Sequence, residues 1–284
     1  MPYLTTKDGI KLYYEEAGTG VPVVFVHEYA GDYRSWEPQM RFFSRQYRCV
    51  TFSVRGYPPS DVPTRDEDYS QAIARDDVIA VMDHLGIEKA HVVGHSMGAY
   101  TSLHVGLDHP DRCRSLTIAG CGWGSDPETQ AQAVKFAEDV ADMFRKDVVS
   151  AAKTYASYPV RLAHKGKDPR GYEEFTRWMS EHSGLGHALI MLNVPLKRPT
   201  LQQLAPRLKD LTIPMLVISG DEDAWCLEGS VFLKQTVPSA GLLVLPRAGH
   251  TINSEEPDAF NRAIFELFTA ADAGRWMAHK VTNL

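Results

Sequence analysis

The chain has 284 residues, 44% of them hydrophobic and 23% charged, so it can bury a large core without staples. Its net charge of −6 gives no basic field for nucleic acid or an anionic membrane surface, and no apolar run approaches the roughly 20 residues that span a bilayer. Cys49, Cys113, Cys121 and Cys226 are scattered without CxxC or zinc-ligand spacing and read as reduced thiols with no metal.

The first nine residues carry neither the basic nor the apolar region of a secretory signal, so the expected setting is cytoplasmic. A first strand is expected over 10–15, after the Lys7-Asp8-Gly9 turn. A second covers 21–27, a nearly continuous apolar run after Gly18-Thr19-Gly20. Residues 49–54 are a third such run, β-branched and aromatic. A helix follows: Ser70 is its N-cap, Ile73, Val78, Val81, Met82 and Leu85 share a face, and Gly86 stands where a stop belongs. Residues 90–94 read as a strand, 97–109 as a helix stopped by Pro110, and 115–119 as another strand. Continuous apolar strands alternating with amphipathic helices predict an α/β fold, with a mostly parallel central sheet flanked by helices.

That rhythm stops near Gly120. Residues 125–209 carry no strand signal, while Val134, Ala137, Val140 and Phe144 recur at helical spacing. Strands resume at 214–219 and 242–245. A last helix is expected to be capped near Ser254, with Pro257 in its first turn and Phe260, Ile264, Leu267 and Phe268 facing inward. The expected organisation is a core of 1–124 and 210–284 interrupted by a helical insertion, 125–209. That insertion carries 13 Lys and Arg against 10 Asp and Glu, a surplus that reads as solvated surface. So does its basic run Arg161, His164, Lys165, Lys167, Arg170, which lacks the interleaved aromatics of a nucleic-acid site.

Gly94-His95-Ser96-Met97-Gly98 fits G-x-S-x-G at a strand-to-helix junction. Such a junction holds the serine on a strained turn with its hydroxyl projecting from the sheet end, while the glycines let strand and helix pass closely. A serine hydroxyl is a poor nucleophile at neutral pH, so it needs a base, and the base needs an orienting acid. In this motif class the order is serine, acid, histidine. Of the later histidines, His104 and His109 are on the helix leading away, His164, His182 and His187 in the insertion, and His279 in the tail. His250 alone lies just past a strand, where a loop at the sheet's carboxyl edge can reach the elbow. The acid should also follow a strand, and Ser219-Gly220-Asp221-Glu222-Asp223 does so at once. Asp221 is close enough to the turn to bond local backbone, so Asp223 is preferred. The strand ending near Ala119 meets no carboxylate until Asp126, which argues against an acid there.

With these motifs the chain resembles the α/β-hydrolase superfamily with a helical cap, and within it the small-molecule ester, lactone and carbon–carbon bond hydrolases. The resemblance covers nearly the whole chain: the His27 segment leading to Trp36, Arg55-Gly56-Tyr57 with Ser60, the Ser96 motif, Gly220-Asp221-Glu222-Asp223, and Gly249-His250 followed by Glu256-Pro257. It implies a Ser96, Asp223 and His250 triad, with an oxyanion hole from the backbone N–H groups of Glu28 and Met97. One departure matters, because the family usually has His-Gly where this chain has His27-Glu28. The donor N–H survives, but a carboxylate about 4 Å from a developing oxyanion costs on the order of 4 kcal/mol at an effective dielectric near 20. That approaches a thousandfold in rate. Glu28 is therefore expected to turn away, to pair with a cation such as Arg34 or Arg55, or to be protonated; an outward, solvated carboxylate is the plain alternative.

The pocket is expected between the sheet's carboxyl edge and the cap, with Tyr29, Met97, Trp123, Trp178, Met191 and Trp225 as lining candidates, although apolar residues there more often belong to the core. Cys226, beside the acid loop but without an elbow or base, reads as structural. The resemblance implies a serine hydrolase of a small carboxylic ester or lactone, acting through an acyl-enzyme on Ser96, with a small-molecule partner and no cofactor. Carbon–carbon hydrolysis of a β-diketone-like acid is the alternative among enzymes. A ligand receptor on the same fold is the alternative outside them. Epoxide hydrolases and haloalkane dehalogenases use an aspartate nucleophile, so Ser96 argues against both.

Overall fold

The computed structural model describes residues 2–125 and 130–278; the sequence positions Asp126 and His279 lie outside them. The strands are β1 Tyr3–Thr5, β2 Lys11–Ala17, β3 Val21–Val26, β4 Tyr47–Phe52, β5 Ala90–His95, β6 Cys113–Ala119, β7 Met215–Gly220 and β8 Ala240–Leu245. They form one sheet in the order β1-β2-β4-β3-β5-β6-β7-β8. Pairing is parallel from β4 to β8 and antiparallel for β1 with β2 and β2 with β4. The core helices are α1 Glu37–Phe43, α2 Gln71–His84 and α3 Met97–Asp108. Between β6 and β7 the described chain is helical: α4 Gln130–Lys146, α5 Val148–Ala156, α6 Leu162–Lys167, α7 Pro169–Ser180, α8 Gly184–Asn193 and α9 Leu201–Leu208. α10 Leu227–Thr236, the single-turn α11 Ile252–Glu255 and α12 Pro257–Asp272 complete the fold.

Strand side chains alternate between faces, and in the buried strands both sets are apolar. Val24, Val26, Val50, Phe52 and Val92 join Val78, Val81 and Met82 of α2 and Leu103 of α3 in one cluster. Val23, Phe25, Cys49, Val93 and Ile218 pack on the other face with Phe43 of α1 and Phe260, Ile264, Leu267 and Phe268 of α12. Ala137, Val140 and Phe144 of α4 belong to the first cluster, so the inserted helices share a core with the body. Val134 does not, and lies 37% exposed.

Local chemistry sets the element ends. The Ser70 hydroxyl accepts from the Ile73 N–H to cap α2, and Gly86 takes φ +64° just beyond its end. Ser254 is not the cap of the last helix. It lies inside α11, and α12 starts afresh at Pro257, whose ring suits a first helical position. The interruption comes from Glu255, whose carboxylate accepts from the Gly249 and Thr251 N–H groups (2.7 and 3.0 Å) and from the Thr251 hydroxyl. No described helix is long and apolar enough to cross a membrane.

Candidate active site

Ser96 is at the junction of β5 and α3 with φ +53°, a left-handed conformation that a non-glycine residue adopts only under constraint. The flanking glycines supply the constraint. A Cβ on Gly94 would stand 2.2 Å from the Gly98 carbonyl oxygen, and one on Gly98 would stand 2.0 Å from the Val26 carbonyl oxygen. Three backbones meet here: β3, β5 and the first turn of α3. The Met97 N–H is a first-turn donor without an intrahelical acceptor, and the Glu28 N–H has no partner among the described residues.

The three side chains singled out for the relay come together. His250 Nε2 lies 3.0 Å from Ser96 Oγ, and Nδ1 lies 2.8 Å from Asp223 Oδ2. Asp223 is fully buried; burial opposes its ionisation, and the facing His250 outweighs that, holding the carboxyl below its ordinary range. As an acceptor it fixes the proton on Nδ1, leaving Nε2 to accept from the Ser96 hydroxyl. Asp221 is exposed and accepts from the Ala248 N–H instead. The His250 backbone is tied at both ends: its N–H donates to the Val160 carbonyl (2.7 Å), and its carbonyl accepts from His95 Nε2 (2.6 Å).

Glu28 is neither solvated nor paired with Arg34 or Arg55. Arg34 is engaged by Asp32 and Glu181, and Arg55 by Asp8 and Asp77. The partner of Glu28 is Arg161, Nη2 to Oε2 at 2.5 Å, with both side chains buried. His95 Nδ1 stands 3.5 Å from the other carboxylate oxygen. Burial opposes ionisation of Glu28, yet Arg161 and then His95 outweigh it, and the carboxyl is held far below its ordinary range. Thus Glu28 is charged and its charge is balanced. The basic run of the insertion is split accordingly. Lys165, Lys167 and Arg170 are exposed, whereas Arg161 and His164 are buried. No local pattern signals this, because Arg161 meets its partner across 133 positions.

A cavity opens onto Ser96 and His250, lined by Tyr29, Met97, Trp123, Met191 and Trp225 among others. Trp178 is a correction. It sits on α7 away from this cavity, with the Arg34 guanidinium 5.1 Å over its ring. Residues not anticipated as lining are Phe136, Tyr155, Pro195 and Arg198. Phe136 and Tyr155 carry the same apolar periodicity as their buried neighbours, and nothing local marks which of them face a cavity.

The family profile described as alpha/beta hydrolase fold matches residues 21–156. A protein of Caulobacter vibrioides with the provisional name carbamate hydrolase RutD is 30% identical over 242 residues, 83% of this chain and 86% of its own. The chain belongs to the α/β-hydrolase family. The 2-hydroxy-6-oxononadienedioate/2-hydroxy-6-oxononatrienedioate hydrolase of Comamonas testosteroni is 28% identical, over 90% of this α/β hydrolase and 91% of its own length. The solved structure of a thermophilic esterase from Thermogutta terrifontis superposes on it with a TM-score of 0.83 at 25% identity, covering 95% of this chain and 98% of that one. Both of these sequence relatives of the α/β hydrolase are hydrolases by name.

Asp223, Cys226 and His250 of this hydrolase-family chain bring ligand atoms within 4.8 Å of one another. A metal there would need a thiolate and a free Nδ1. Burial, with Asp223 alongside, pushes the Cys226 thiol well above its ordinary range, and Nδ1 is committed to Asp223. The donor set suits the hydrogen-bonded relay better than a cation. Cys226 packs beside it, Sγ 3.9 Å from Nδ1.

Proposed function

We propose that the protein is a serine hydrolase of a small carboxylic ester or lactone, with Ser96 as nucleophile, His250 as base and Asp223 as the acid that orients it. One observation carries the reading: both nitrogens of the His250 ring are bonded, one to Asp223 and one to the Ser96 hydroxyl. In this mechanism Nε2 takes the Ser96 proton as Oγ attacks the carbonyl carbon. The oxyanion accepts from the Glu28 and Met97 N–H groups. Collapse expels the alcohol, which takes the proton from Nε2. Water then attacks the acyl-enzyme with His250 again as base, freeing the acid and restoring Ser96. Asp223 stays ionised and holds the imidazolium.

Residues 125–209 act as the cap over the cavity in this reading. The four cysteines, all free and buried, support a reducing, cytoplasmic setting. The test is labelling by a fluorophosphonate probe. The folded protein is expected to label, and Ser96→Ala to abolish labelling. A folded but unlabelled wild type would favour a ligand receptor and end the proposal. Carbon–carbon hydrolysis is the second reading, supported by the Comamonas relative. Faster turnover of ring-fission dienoates than of short p-nitrophenyl esters and lactones would select it.

A further inference from the structure

The cavity above Ser96 is walled by aromatic and apolar side chains, and among the described residues lining it Arg198 is the one permanently charged. Among the described residues, no carboxylate lines it. Arg198 follows α8, and its guanidinium lies over the ring of the buried Tyr100, 3.4 Å from the centroid. Tyr100 is four residues beyond Ser96 on α3 and is held by a hydrogen bond with the Ser125 hydroxyl. The cation is thus stacked on a residue that stands one helical turn along α3 from the nucleophile. Nη2 donates to the Trp123 carbonyl (2.9 Å), and among the described residues Arg198 has no acidic partner within salt-bridge distance. By contrast, the buried Arg55 and Arg161 each face a carboxylate.

We propose that Arg198 is a specificity-determining residue that receives a carboxylate on the substrate, so that the preferred ester, lactone or diketone is an anion. A guanidinium presents its donors in a planar fork matched to a carboxylate. One donor is spent on Trp123, which sets the orientation of the fork, and the remaining donors stay available. With no acid among the described lining residues, a substrate carboxylate meets attraction there and no repulsion. Arg198 is half-buried, so water screens the contact less than at a fully exposed site. A neutral substrate leaves that cation unanswered.

The inference deepens the hydrolase reading and is tested so that the two fail separately. Binding is measured on Ser96→Ala, which needs no turnover, using the quenching of Trp123 and Trp225, which line the same cavity. Monomethyl glutarate is expected to bind on the order of 10- to 100-fold more tightly than dimethyl glutarate, the range of a charged hydrogen bond. Adding Arg198→Met should bring the ratio close to one, and Arg198→Lys should retain part of it. In turnover, two matched pairs read the same ratio: mono-p-nitrophenyl glutarate against its methyl ester for the acyl half, and 4-acetoxybenzoate against its methyl ester for the leaving half. Because each value is a ratio within one protein, general damage cancels. Equal or absent binding of the anion, or a preference unchanged in Arg198→Met, overturns the proposal. Loss of Ser96-dependent turnover with the binding ratio intact sinks only the hydrolase reading.

Discussion

His27 is fully buried at the end of β3, and its ring has two fixed bonds. Nδ1 donates to the Glu28 carbonyl (2.7 Å), and Nε2 accepts from the Val54 N–H (3.0 Å). Only the neutral ring can make both. Burial pushes its pKa down to about 4, against the pull of the Glu28 carbonyl. In the unfolded chain an imidazole titrates near 6.5. Between those values the unfolded state binds a proton that the folded state refuses, so this stability is present above about pH 6.5 and is lost as pH falls toward 4. The slope from this one group is about 1.4 kcal/mol per pH unit. Urea midpoints are expected to fall between pH 7 and pH 5, and to fall less steeply in His27→Gln. His91 and His104, also pushed down to about 4 by burial, titrate in the same window, so the variant removes only its own share. Identical pH profiles for the two proteins would refute the assignment.

At the scale of elements, the close passage of α3 over the end of β3 sets the proposed oxyanion donors, and Gly98 permits it. Alanine is the better helix former by about 1 kcal/mol. Here its methyl would stand 2.0 Å from the Val26 carbonyl oxygen and 2.6 Å from that of His27, both backbone atoms that cannot yield without moving β3. Gly98→Ala is therefore expected to lower stability, by on the order of 1–3 kcal/mol as overpacking does, and to lower kcat because the Met97 and Glu28 N–H groups move apart. A raised urea midpoint would show that propensity wins and the contact is slack. This junction was legible in the sequence because its signals are local: an apolar run, a glycine pattern and a helical period within a dozen residues. The strand and helix alternation was legible for the same reason. The three-residue β1 and α10, whose apolar positions Val231 and Phe232 face partly outward, leave too short or weak a pattern. Trp178 was misplaced on similar grounds, since helical periodicity says that α7 has an inward side but not which neighbour that side meets.

Across the whole molecule, the helical segment 130–208 is joined to the sheet by polar and ionic contacts that no local pattern could announce. Asp32, after β3, meets His182 at 2.9 Å, Arg34 meets Glu181 at 2.6 Å, and Glu28 meets Arg161. The last of these touches the proposed chemistry twice, because the turn bearing Arg161 also accepts the His250 N–H through the Val160 carbonyl. Arg161 lies over Tyr155 and Phe175, with its guanidinium carbon 4.8 and 5.2 Å from their ring centres, and its Nε and Nη1 have no hydrogen-bond partner among the described residues. Its charge is therefore spent chiefly on Glu28. Arg161→Met should leave a buried carboxylate uncompensated beside the proposed oxyanion donors, a loss on the order of 3–5 kcal/mol. Turnover should drop as well, since an unbalanced negative charge opposes the oxyanion. Glu28→Gln combined with Arg161→Met removes both charges and should recover much of the stability and part of the rate. Urea unfolding of the two single variants and the double gives the coupling energy directly. If the double variant is no more stable than Arg161→Met alone, charge balance is not what this pair contributes, and Arg161 holds the segment through its aromatic packing instead.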